Sequence, residues 1–160
     1  MHPQIEAMFD EAENRYLKPE ELASLSQYVE SLPSRIKTYR YLRDQEITIM
    51  QDVAKNLEKQ FPNEEVATLE RCLKNALLIL RYSAMGMLLN DDNFLKHRLI
   101  HWLEGTAKAC QTETIDQVLY QLLNARLDEV LAEAQVQLLT PNLHLAEGVL
   151  IGQRQAHAIV

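Results

Sequence analysis

The run Val66-Ala67-Thr68-Leu69-Glu70-Arg71-Cys72-Leu73-Lys74-Asn75-Ala76-Leu77-Leu78-Ile79-Leu80-Arg81-Tyr82-Ser83-Ala84-Met85 decides the fold class. Val66, Leu69, Leu73, Ala76, Leu77, Leu80 and Ala84 return at three- and four-residue steps, which makes one apolar stripe of an α-helix. Leu78, Ile79, Tyr82 and Met85 carry apolar surface onto the other sides. A helix apolar on several sides belongs at the centre of a bundle. Its greasiest stretch, Ala76 to Leu89, is interrupted by Arg81 and falls short of the roughly 20 apolar residues that cross a bilayer, so no membrane span is expected.

Outward from this helix the chain keeps the same period. Pro62 ends the preceding segment, and Asn63, Glu64 and Glu65 suit the start of the central helix, an amide to cap it and two acids for its dipole. Upstream, Pro33 is expected to open a long helix reaching about Phe61, with Ile36, Tyr39, Leu42, Ile47, Met50, Val53 and Leu57 at helical spacing. Pro19 with Glu20 and Glu21 marks the start of a shorter helix, to about Ser31. Downstream, Asn90-Asp91-Asp92 is a break, and Phe94, Leu95, Leu99, Trp102 and Leu103 resume the period to about Ala109. Thr114 with Gln117 fits a capping box and opens a further helix through Val118, Leu119, Leu122, Leu127, Val130 and Leu131 to about Leu138. Thr140 and Pro141 are expected to end it, leaving residues 141–160 as a weakly structured tail.

Composition points the same way. The chain has 160 residues, 47% hydrophobic and 24% charged, which suits one globular domain spanning 1–160. Only 4 glycines and 5 prolines occur, too little punctuation for the many turns of a β-sandwich. The expected fold is all-α, a globin-like irregular bundle of about six helices. With 16 basic against 23 acidic residues and a formal charge of −7, the chain lacks the cationic surplus that phosphate backbones require, so nucleic acid is not an expected partner. Residues Met1 to Asp10 carry acids and a proline instead of a basic region followed by an apolar run, so a cytoplasmic location is expected.

Motifs of catalysis are missing: no glycine-rich phosphate loop, nucleophile elbow or metalloprotease helix occurs, and an enzyme is not expected. His97 and His101 stand one helical turn apart, a spacing that can hold a metal. No third ligand accompanies them, so structural or solvent-facing roles are preferred and no metal site is expected. Two cysteines, Cys72 and Cys110, without paired spacing form neither a disulfide framework nor a zinc site.

The segment Glu70-Arg71-Cys72-Leu73-Lys74-Asn75 through Leu80-Arg81-Tyr82 resembles the chromophore-bearing helix of the phycobiliprotein family, the bilin-carrying phycocyanin- and allophycocyanin-like antenna proteins of phycobilisomes. The likeness extends upstream through Glu11 to Leu17 and Leu22 to Val29, and downstream through Leu88 to Trp102, covering about residues 5 to 140. It implies a globin-like bundle preceded by an N-terminal helical hairpin, residues 1–32, that serves subunit association. Cys72 matches the cysteine joined to the bilin, an open-chain tetrapyrrole, and Lys74, with Arg71, the basic positions near its propionates. Tyr82, His97 and Trp102 are the implied walls. Glu13 and Arg81 resemble the acid and arginine that join two subunits, with solvated surface charges as the alternative, and Tyr16 and Tyr28 fit the same implied interface or core packing equally.

One departure has a physical consequence. At the position of the family's aspartate, which accepts from the inner pyrrole N–H groups, this chain has Asn75. An amide oxygen accepts a hydrogen bond but brings no negative charge to balance a protonated chromophore. Two readings therefore stand: a divergent bilin-binding protein of the phycobilisome, placed on the thylakoid surface and serving photosynthesis, or a chromophore-free regulatory module contacting phycobilisome components. Cys72 on an apolar central helix fits a core thiol as well as an attachment point. Either way, the resemblance implies association as a homodimer or with a phycobiliprotein subunit.

Overall fold

The structure is a computed structural model describing the backbone of residues 3–106 and 112–158. Six helices follow in order: α1 (Pro3–Glu11), α2 (Pro19–Gln60), α3 (Val66–Leu89), α4 (Asp92–Thr106), α5 (Glu113–Val130) and α6 (Glu133–Ala158), with a 3-10 turn at Ala12–Asn14. Among the described residues there is no strand, and the all-α, globin-like architecture is as expected. α3 packs against α2, α4, α5 and α6, so the helix apolar on several sides is the central one. By length and composition α3 is also apolar enough to cross a membrane, but its position between four helices accounts for that composition as core.

Two expected breaks are absent. α2 runs unbroken through Pro33, so the N-terminal arm is α1 followed by the first half of one 42-residue helix instead of a separate short helix. Proline removes the donor to the carbonyl four residues back, which here belongs to Val29, a residue 52% exposed. Water can meet that carbonyl. Pro141 likewise lies inside α6, and the carbonyl it deprives belongs to exposed Gln137. The tail expected to be weakly structured is thus helical to Ala158. The real break comes earlier, at Leu131–Ala132, where the Gln135 side chain accepts from the Ala132 N–H at 3.0 Å.

Other ends follow from local chemistry. At the start of α2, Glu21 accepts from the Lys18 N–H at 2.7 Å and binds Arg15 at 2.8 Å, while Arg15 also reaches Glu11 at 2.9 Å. Hydrogen bonds from Arg15 and the Lys18 backbone hold the Glu21 carboxyl down at about 2. α3 begins after Glu65, two residues beyond the expected Asn63 cap, and ends on Asn90 in the left-handed region (φ 50), where the Asn90 N–H turns back to the Met87 carbonyl. α5 starts at Glu113 with Thr112 as its first flanking residue, ahead of the expected Thr114 box.

The core is continuous from Leu42, Ile49, Val53 and Leu57 of α2 through α3 to Leu119, Leu123 and Leu127 of α5 and Leu139, Leu143 and Ala146 of α6. Gly86 lies under the Asn142 side chain of α6. A Cβ there would sit 2.7 Å from Asn142 Oδ1 of α6, so the absence of a side chain lets the two helices meet.

Candidate functional site

Helical geometry splits the cysteine motif between two sides of α3. Successive residues advance 100°, so Cys72 and Asn75 lie near one another while Lys74 points nearly the opposite way. Cys72 turns inward and is 2% exposed, continuous with Ala76 and Ile79 of the core. Asn75 is half-buried beside it, and Arg71 and Lys74 are exposed. Leu73, Lys74 and Leu77 instead face α2, where with Ile47, Met50 and Glu46 they border an apolar cleft of about 290 Å³.

The thiol is not surrounded by hydrocarbon alone. Across from it, at the start of α5, stand the carboxylate of Asp116 and the hydroxyl of Thr112, both buried, with Thr112 Oγ1 donating to Asp116 Oδ2 at 2.9 Å. Burial, then the negative charge of Asp116 and its acceptance of the thiol hydrogen, push Cys72 up to about 11; Thr112 and Arg71 oppose them. Cys72 is thus a protonated thiol at neutral pH, held by a buried polar pair.

Neither Asp116 nor Thr112 belongs to the cysteine motif or to the residues that the family resemblance marks. A signal exists for one of them: Asp116 follows Ile115 and lies three and seven residues before Leu119 and Leu123, so a carboxylate sits on the inward stripe of α5. An acid on a stripe that a core requires to be apolar is a mark of a specific role or partner.

The remaining expected residues are spread over the molecule. Tyr82 is half-buried against the core, and His97 is exposed on α4 together with His101. Trp102 belongs to α4, but its side chain lies outside the described residues, as does Cys110. Arg81 pairs with Glu46 of α2 through two bonds of 2.6 and 2.7 Å, which ties α3 to α2 within the chain. Glu13 is exposed in the 3-10 turn, Tyr16 is 98% exposed, and Tyr28 is half-buried where α1 meets α2.

A central α3 carrying Cys72, the arm ahead of it and the bundle behind it stand in the order that the motif implied. A family profile described as "Phycobilisome protein" matches residues 8–147, from the last residues of α1 through the motif to just past the middle of α6. The chain belongs to the phycobilisome protein family. No curated protein matches it individually. For a phycobilisome protein the inward cysteine on α3 is the natural first candidate for a site. Its side chain chemistry fits a bilin in part: a thiol for the thioether, and a buried carboxylate, from α5 instead of α3, for the pyrrole N–H groups.

Proposed function

We propose that this phycobilisome protein carries a bilin on Cys72 and serves light harvesting or phycobilisome assembly as a structural, non-catalytic subunit. The observation that supports this reading is Asp116. A protonated tetrapyrrole held in a low-dielectric interior needs a negative charge nearby, which Asn75 cannot supply. Asp116 offers one beside the thiol, from the facing helix. Asn75 then adds a neutral acceptor, Arg71 is a propionate contact, and Tyr82, His97 and Trp102 belong to the surrounding walls, while Lys74, turned to the α2 side, is not among the contacts. Association with a second copy or another phycobiliprotein subunit runs through the N-terminal arm, with Glu13, Tyr16 and Tyr28, whereas Arg81 already holds Glu46 within the chain. The assembly then lies on the thylakoid surface.

Co-expression with bilin-forming enzymes tests the site. The denatured protein is expected to retain visible absorbance and a bilin-sized mass on the peptide containing Cys72. Cys72→Ala abolishes both, whereas Asp116→Asn keeps the mass and weakens the red band. An unmodified Cys72 after co-expression would remove the covalent bilin from the account.

A second reading is favoured by the burial of the thiol itself, 2% exposed and mostly protonated, since an attaching cysteine must meet its ligand. In that reading the chain is a chromophore-free module that contacts phycobilisome components through its surface. Partner binding unchanged by Cys72→Ala, together with no adduct, selects it.

A further inference from the structure

Away from the cysteine, a second cavity of about 260 Å³ lies where α1 folds against the first half of α2 and the C-terminal end of α3. Its lining includes Gln4 of α1, Gln27, Tyr28, Ser31 and Arg35 of α2, and Asn90. Arg35 is the one charged residue among the lining residues, and it differs from the ion-paired arginines of this chain. Arg15, Arg43, Arg81 and Arg126 each face a carboxylate within 2.9 Å. Arg35, half-buried, has no carboxylate partner among the described residues. Its Nε donates to Ser31 Oγ at 2.9 Å and its Nη1 to the Met87 carbonyl at 2.5 Å, which leaves Nη2 without an acceptor among the described residues.

A guanidinium taken partly out of water without a counter-charge is costly, and it presents its donors in a planar fork that fits carboxylate and phosphate oxygens. Burial holds the group below its ordinary pKa, and the Tyr28 phenol of the same lining opposes that shift without bringing a carboxylate. The two bonds it already makes orient the fork. The other polar lining groups are amides and hydroxyls, and no carboxylate among them repels an anion.

We propose that this cavity binds a small oxyanion, a carboxylate or a phosphate, on the Arg35 guanidinium. The site is independent of Cys72 and of any bilin, and it joins α1, α2 and the end of α3. Occupancy therefore fastens the N-terminal arm to the bundle.

Thermal unfolding of the full chain with inorganic phosphate or succinate, at ionic strength fixed with sodium chloride, tests it. At about ten times Kd either anion is expected to raise Tm by about 3 °C over chloride, and the more effective of the two identifies the chemistry. Arg35→Gln abolishes the rise. Because Arg35 also caps α3, the deciding variant is Gln27→Glu, which leaves Arg35 in place and sets a carboxylate in the lining. It is expected to raise Tm without added anion and to remove the response to phosphate and succinate. No response of the wild type to either anion, or an undiminished response in Gln27→Glu, overturns the proposal.

Discussion

The two halves of α2 are one helix in two environments. From Leu42 to Leu57 its stripe of Leu42, Ile49, Val53 and Leu57 is buried against α3 and α5. In the first half, Leu22 is 49% exposed and Val29 52%, on the same apolar spacing but with little facing them. Period fixes the helix, whereas burial depends on what the chain folds against it. Apolar side chains of a long arm held in water are the pattern of a surface awaiting a partner. That is the physical reason for placing subunit association on the arm in the proposed function.

Leu57→Ala is expected to cost about 2–5 kcal/mol in denaturant unfolding, since its side chain is fully enclosed and the cavity cannot collapse fully. A cost below about 1 kcal/mol would mean that the second half of α2 is no more committed to the core than the first. Gly86→Ala comes next, at about 1–3 kcal/mol, because the new Cβ overlaps Asn142 Oδ1 and the buried Asn142 side chain must give way. The paired variant Gly86→Ala with Asn142→Ala is expected to recover part of the loss.

Alkaline titration gives a third, smaller effect. The folded Cys72 pKa, about 11, lies above the ordinary value of 9.0, so its protonated form is favoured by folding. Its contribution is fully present below pH 9 and is lost as pH rises from about 9 through about 11. Wild type is expected to lose up to about 2 kcal/mol more than Cys72→Ala across that window. Equal slopes for the two proteins would place the thiol in a polar, solvated setting. The smallest effect belongs to the arm: Leu22→Ala is expected to change monomer stability by no more than about 0.5 kcal/mol. Sedimentation should nonetheless show weakened self-association or weakened binding to a phycobiliprotein subunit.

The family-like motif around Cys72 was legible from residues 70 to 82, and so was the central place of its helix, because apolar surface on several sides requires neighbours on several sides. Pro33 and Pro141 misled for a definite reason. Part of the cost of proline inside a helix is the carbonyl it orphans, and here both orphaned carbonyls belong to exposed residues, where water can meet them. Asp116 was hidden because its significance depends on which residue of α3 it meets, and that meeting is 44 positions away in sequence. Arg35 was equally silent, since an unpaired guanidinium is recognised only by the absence of an acid in space.

Taken alone, the order of residues determined helices, their approximate number and the face of α3 that carries the thiol, because these follow from local period and spacing along a single chain. Which side chains came to share a site was decided by packing. It set Cys72 against Asp116, turned Lys74 to the other side, closed Gly86 on Asn142 and left Arg35 without a counter-charge, for distances between helices are fixed by the whole core and by no segment of it.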